Sequence, residues 1–243
     1  RDLLWNYFKA VLAQRQNEPA KARDAVLQVL KVAPEHAPSL LLAGAIEYQL
    51  GAFSMAEGYL RKVVARFPDN FYARNLLVST YLRKGQPGRA EETLAPAMKP
   101  APKDAAVLRA AGEVAFANNR LAEAAGYFGQ ALAAGNDDAM VRTRLAQIRL
   151  AKGETERALE DLGAASALDK NAYQADLALV ATHLQRREYD KALAAAATLE
   201  RKQPSNPMTH DVKGTVYAAM NDARNARASF DKALSLQFNY LPA

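Results

Sequence analysis

Alanine returns in this chain at an unbroken interval, with Ala22, Ala56, Ala90, Ala124, Ala158, Ala192 and Ala226 each 34 residues apart. Alanine makes up roughly one residue in five, so seven hits in one register have a chance probability on the order of 10⁻⁵. A constant period of this length restricts the chain to a stack of like supersecondary units, each too small to bury its apolar face alone. Twelve residues before each alanine stand Ala10, Gly44, Val78, Gly112, Ala146, Val180 and Gly214, mostly small side chains that let two backbones approach. Four residues after it come the larger fillers Val26, Leu60, Leu94, Phe128, Leu162, Ala196 and Phe230, and three further on Val29, Val63, Ala97, Ala131, Ala165, Leu199 and Ala233. That spacing is one face of an α-helix. The pattern predicts an all-α chain of seven helical hairpins, about fourteen helices, over residues 3–36, 37–70, 71–104, 105–138, 139–172, 173–206 and 207–240.

Boundary chemistry falls where this division needs it. Pro34, Pro68, Pro102 and Pro204 follow the second helix of a unit, where the missing N–H and fixed φ stop a helix. Asp69-Asn70, Asp104, Asp138, Asn171 and Ser205-Asn206 then offer oxygens to the open N–H groups of the next helix, and Pro207 suits a first turn. Between the helices of a unit the same slot holds Gly51, Gly85 and Gly153 or Asn17, Asn119 and Asn221, the residues that best accept a left-handed backbone. Arg187 alone departs from that rule.

These columns resemble the tetratricopeptide repeat, whose run of small residue, Tyr, Gly, Tyr, Ala, Phe, Ala and Pro is matched by Gly44, Gly51, Phe53, Ala56, Leu60 and Pro68, and again by Tyr81, Gly85, Ala90, Leu94 and Pro102. The resemblance runs from Leu3 to Tyr240; Asn136, Lys170 and Phe238 replace the boundary proline, and Glu47, Arg149 and His183 stand in the tyrosine slot. It implies a right-handed superhelical solenoid whose first helices line a concave groove for a protein or peptide ligand. The chain stops at Pro242-Ala243, inside what would be an eighth unit, and its last helix carries Phe230, Leu234 and Leu236. We read it as a piece of a longer array and expect end-to-end self-association through that face.

Chemistry is sparse. Without cysteine, thiolate metal sites, disulfides and a cysteine nucleophile are excluded. His36, His183 and His210 fall at different repeat positions, so no metal site is expected; His183 reads as a packed residue, His36 and His210 as solvated or capping ones. No phosphate loop, GxSxG or HExxH is present, and we expect no catalytic residue and no cofactor. The 50% hydrophobic content is ample for a core, yet no run of about 18 apolar residues exists to span a membrane. Net charge is +6, but Arg61-Lys62, Arg83-Lys84, Arg186-Arg187 and Arg201-Lys202 read as helix-end cations that oppose the dipole, without the interleaved aromatics of a nucleic-acid stripe.

In the tetratricopeptide family the groove is formed by positions 2, 5, 9, 12 and 13 of each unit. Carboxylate-clamp members carry Lys at 5 and Asn at 9, whereas this chain has pairs such as Asn75/Ser79 and Arg109/Glu113. What those positions do offer is an apolar and aromatic patch, Leu41, Tyr48, Tyr72, Leu82, Phe116 and Met140, with Asn75, Arg83 and Arg109 beside it, the residue types that anchor an extended peptide. Packing between first helices is the competing role for several of them.

Finer likeness lies in solvent-facing stretches: Tyr72 to Leu77, Gly85-Gln86-Pro87, Glu92 to Ala97, Gly153 to Ala158, Tyr173 to Leu177, His183 to Leu193 and Lys202-Gln203-Pro204. They resemble the tetratricopeptide protein of bacterial exosortase (PEP-CTERM) systems, which implies a long periplasmic scaffold serving exopolysaccharide or sorted-protein export. Any lipid anchor would lie upstream of Arg1. Two other readings stand beside it: a repeat arm of a larger enzyme such as a glycosyltransferase, and an RNA-binding helical array, which would need regular polar pairs in the groove.

Overall fold

A computed structural model describes residues 2–99, 104–135, 137–169 and 173–237; Pro102, Asn136, Lys170, Asn171 and residues 238–243 lie outside that set. The described residues form fourteen helices and no strand. Two compact units divide the chain, Arg1–Gln130 and Ala131–Ala243. The first holds α1 (Asp2–Arg15), α2 (Pro19–Val32), α3 (Ala37–Gln49), α4 (Phe53–Arg66), α5 (Phe71–Arg83), α6 (Pro87–Met98), α7 (Ala105–Ala117) and most of α8 (Leu121–Ala133). The second holds α9 (Ala139–Ala151), α10 (Thr155–Leu168), α11 (Tyr173–Gln185), α12 (Tyr189–Lys202), α13 (Pro207–Ala219) and α14 (Ala223–Leu236).

Each turn inside a hairpin is left-handed. Gly51, Gly85 and Gly153 have φ of +76°, +67° and +78°, and Asn17, Asn119, Asn221 and Arg187 lie between +57° and +59°. Caps start the next helix: Asn70 accepts from the Ala73 N–H, Asp104 from Ala106 and Val107, Asp138 from Met140, and Asn206 from Met208. Within the first unit α1 packs on α2, α3 on α4 and α5 on α6, while α1, α3, α5 and α7 also touch in succession, as α9, α11 and α13 do in the second. Odd helices in mutual contact form the closely spaced side of each unit.

The 34-residue alanine column is the reason hairpins close so tightly. Six of its seven members are 0% exposed and Ala226 is 5%, so any larger side chain there would push two helices apart. A second pairing runs sixteen residues along the chain. A Cβ placed on Gly44 would sit 2.6 Å from Leu60 Cγ, on Gly112 2.5 Å from Phe128 Cδ1, and on Gly214 2.6 Å from Phe230 Cε1. Glycine stands opposite Leu60, Phe128 and Phe230, and Val180 opposite the smaller Ala196, a trade of volume between partners that Val78 with Leu94 does not follow.

Polar partners, each at a different interval, accommodate the three departures in the tyrosine slot. Glu47 is 1% exposed and its Oε1 takes a 2.8 Å bond from Arg23 Nε. Arg149 is ion-paired with Asp161, and His183 Nδ1 lies 2.7 Å from Glu188 Oε2. Tyr81 is matched by small Thr93 twelve residues on, and Ala115 at the same interval by Tyr127. Polar residues are held in this slot by a facing side chain, Arg23 for Glu47, Asp161 for Arg149 and Glu188 for His183.

Two expectations need correction. His210 is buried, not solvated: its Nε2 is 3.0 Å from the Pro204 carbonyl oxygen and its Nδ1 3.4 Å from Glu200. Arg61-Lys62 lies within α4 rather than at its end, and Lys62 reaches back 2.8 Å to Glu35 in the preceding hairpin boundary. Lys84 and Lys202 do stand at helix ends, yet their ammonium groups meet Glu57 at 2.6 Å and Asp176 at 2.7 Å. Side-chain ion pairs, more than helix dipoles, hold these cations.

Candidate functional site

Tetratricopeptide grooves use the odd helices, and in the first unit those helices enclose a cavity of about 470 Å³. Tyr7 of α1, Pro38, Leu41 and Leu42 of α3, Phe67 and Asn70 after α4, and Tyr72 of α5 line it. The wall is apolar, and Tyr72, 62% exposed, stands at its edge. Local sequence makes this shape: Pro38 opens α3 in its first turn, and Asn70 caps α5 so that Tyr72 projects from the first turn.

A second focus lies farther along the same helices. Tyr48, half-buried near the end of α3, meets Phe53 with ring centroids 5.6 Å apart, edge to face. The exposed Arg83 guanidinium stands over the other side of that assembly, 5.4 Å from the Phe53 centroid. Basic and aromatic residues thus do meet, here across space, while Arg66 over the adjacent Phe67 ring at 5.5 Å is a neighbour contact along the chain. Leu41, Tyr48 and Leu82 also pack partly on the core cluster of Leu60, Leu77, Val78 and Tyr81.

Further polar groups stand on the odd helices α5 and α7. Among the described residues Arg109 and Arg83 have no ion-pair partner, and Asn75 makes no side-chain hydrogen bond. Phe116 is half-buried on α7. Met140, 36% exposed, belongs to the second unit, where it lines a separate cavity of about 480 Å³ with Asp137, Thr143, Leu168, Tyr173 and Gln174. The structure therefore brings Leu41 and Tyr72 into one cavity, places Tyr48 and Arg83 at a second focus, and sets Met140 in another site altogether. The patch read from the sequence leaves out Tyr7, Phe53, Phe67 and Asn70; Phe53 and Phe67 lie at the two ends of α4, outside the first-helix positions.

Electrostatics outside the groove are structural. Hydrogen bonding from Lys84, then from Arg89, holds the Glu57 carboxyl below the ordinary glutamate range against the opposing effect of burial. Burial, reinforced by Glu57, pushes the Tyr81 phenol up. Burial also raises Asp161 despite Arg149 and Arg142. Among the described residues no three His, Asp or Glu side chains converge on a metal position, and no helix is long and apolar enough to cross a membrane.

A row of antiparallel helix pairs repeating one pattern of small and large residues is a helical-repeat solenoid, a class that works through its surfaces. Tetratricopeptide repeat patterns match residues 9–71 and 143–207, 47–113, and 210–240. The first covers more than half of the chain, which belongs to the tetratricopeptide repeat family. The chain is 32% identical over 126 residues to the TPR repeat-containing protein PA4667 of Pseudomonas aeruginosa, a match covering 51% of this chain and 21% of that protein. It therefore spans about a fifth of that relative's length. Solved structures of similar fold include a chain of the APC/C hetero-tetramer Cut9-Hcn1, with TM-score 0.73, 15% identity, and coverage of 92% of this chain and 46% of that one. A tetratricopeptide repeat protein from Parabacteroides merdae matches with TM-score 0.70, 13% identity, and coverage of 98% and 94%.

Proposed function

We propose that the chain is an interaction scaffold whose first unit holds an extended peptide segment along α3, α5 and α7. The observation that carries this is the apolar Tyr7, Leu41 and Tyr72 cavity, with Asn75, Arg83 and Arg109 on the odd helices α5 and α7 and neither arginine held in an ion pair among the described residues. Leu41 and Tyr48 are seven residues apart on α3, about 10 Å of helix, a span that about three extended residues cover. The bound segment would place an apolar or aromatic side chain in the cavity and an acidic group toward the arginines, because aromatic anchors and arginine supply most of the energy in such contacts.

Selection of peptides on the immobilised chain, followed by binding to variants, tests it. Replacing Tyr72, Arg109 and Phe116 with alanine abolishes capture of the selected peptides while circular dichroism stays that of the wild type; unchanged capture refutes the site. The resemblance of the stretches from Tyr72 to Leu77, half of it buried, and from His183 to Leu193, mostly at the surface, supports a narrower assignment, a periplasmic scaffold in exosortase-linked exopolysaccharide or protein export, held to the membrane by a segment outside this chain. Affinity capture from the native periplasm tests that assignment, and purification exclusively with cytosolic proteins refutes it. The exposed Leu234 and Leu236 of α14, beside half-buried Phe230, support end-to-end self-association, which a strict monomer in light scattering at high concentration would contradict.

A further inference from the structure

Arg74, buried on α5, carries a charge that the chain does not neutralise. It is 6% exposed, and its guanidinium donates only to two carbonyl oxygens, that of Thr93 at 2.7 Å and that of Pro68 at 2.5 Å. Among the described residues no carboxylate pairs with it. A guanidinium has five N–H donors, so several remain to spare, and a buried cation without a counter-charge is costly. Repeat packing does not call for a cation here, because the same column holds Leu40 and Leu108 in the two adjacent repeats, each 3% exposed.

Two repeats along the chain, Arg142 takes the place of Arg74 and faces two carboxylates, Asp137 at 2.5 Å and Asp161 at 3.7 Å, the latter also paired with Arg149. Asp161 corresponds to Thr93 by the same 68 residues, so the carboxylate of the even helix is missing beside Arg74. Asp137 corresponds to Asp69, which is exposed and makes no bond to Arg74. A cavity of about 540 Å³ lies between α4, α5 and α6, lined by Arg74, Thr93, Arg61 and Lys62 over an apolar wall that includes Val64 and Leu77. Arg61 has Glu57 at 4.0 Å and Lys62 has Glu35 at 2.8 Å, and both cations are more than half exposed at the rim. Glu57 is itself held by Lys84 and Arg89. No acidic residue lines the cavity, and it shares no residue with the Tyr7, Leu41 and Tyr72 cavity of the groove.

We infer that this cavity is a binding site for a carboxylate on a short aliphatic stem, with the oxygens at Arg74, between Arg61 and Lys62, and the stem on Val64 and Leu77. The guanidinium fork matches the two oxygens of a carboxylate, and burial strengthens their attraction. A ligand here supplies from outside the counter-charge that Asp161 supplies from within two repeats later. The groove stays open when the site is filled, giving the first unit two independent contact faces.

The test titrates propionate into the isotope-labelled chain at constant ionic strength. Saturable shifts are expected at the Arg74 Nε–H and at the Val64 and Leu77 methyls, with propionamide, which has the shape without the charge, binding roughly 10-fold more weakly. Thr93→Asp installs a carboxylate from within and is expected to remove those shifts. Arg74→Leu, the residue of both adjacent repeats, is expected to remove binding in a folded chain and serves the same end if the aspartate variant does not fold. N-acetyl-glutamate N-methylamide tells two sources apart: its binding assigns the site to an acidic side chain of a protein partner, and its exclusion assigns the site to a small free acid. Absence of saturable propionate shifts, equal binding of propionamide, tighter binding of inorganic phosphate than of propionate, or retained binding in Arg74→Leu each overturns the assignment. Peptide capture by the groove is unchanged in Arg74→Leu, so failure here is distinguishable from failure of the groove.

Discussion

Replacing Gly112 with valine and Phe128 with alanine together should disturb the chain far less than the two changes apart. A Cβ on Gly112 would fall 2.5 Å from both Phe128 Cδ1 and Cε1 and 2.9 Å from Cζ, closer than real contacts allow. Gly112→Val alone therefore overpacks the hairpin, costing about 1–3 kcal/mol. Phe128 is 0% exposed, so Phe128→Ala alone leaves a cavity worth about 3–5 kcal/mol. The double variant reproduces the Val180 and Ala196 pairing already used by the α11 and α12 hairpin, and the new valine regains about 1.5–3 kcal/mol of burial while the clash vanishes. The coupling energy, the clash removed plus the burial regained, should be about 2.5–6 kcal/mol in favour of the double variant. Because a repeat array need not unfold in one step, hydrogen exchange of α7 and α8 amides is the assay of choice, with urea denaturation beside it. Additivity within about 0.5 kcal/mol would refute the claim that these positions share one volume.

Three other perturbations follow from the same geometry. Arg187→Gly relieves a left-handed backbone, φ +58°, and should stabilise the α11 and α12 hairpin by about 1 kcal/mol in thermal melts; destabilisation would contradict the strain. Lys202→Met strands Asp176, which is 0% exposed, and should cost about 3–5 kcal/mol in urea denaturation, whereas Lys62→Met, from an exposed pair with Glu35, should cost less than ~1 kcal/mol. Glu57 titrates below the ordinary glutamate range in the folded chain, so the stability it contributes is present above its unfolded pKa and is lost as pH falls through the lower folded one. The stability gap between wild type and Glu57→Gln should accordingly shrink as pH drops through and below that range, and a gap that stays constant would contradict the ion-pair assignment.

Much of the fold was legible because it is written in periodic positions. The alanine column, the boundary prolines and the Asp and Asn caps each act within a few residues of where they stand, so spacing alone reveals them. The compensations were harder to read. Gly112 with Phe128, and Ala115 with Tyr127, are joined across two helices, and neither residue of a pair is unusual until the other is placed against it. The burial of His210 follows from the approach of Pro204 and Glu200 at a hairpin junction, which no local pattern announces. In the groove, positions inherited from the repeat pointed to Leu41, Tyr72, Asn75, Arg83 and Arg109. Phe53 and Phe67 escaped because they belong to the ends of a second helix, and Met140 was grouped with residues of a unit to which it does not belong.

Chemical-shift mapping of a selected peptide on the labelled chain addresses the groove assignment at residue level. Perturbations confined to Tyr7, Leu41, Tyr48, Tyr72, Asn75, Arg83, Arg109 and Phe116 are the predicted result. Perturbations centred on the even helices α2, α4 and α6, with those residues unmoved, would contradict it.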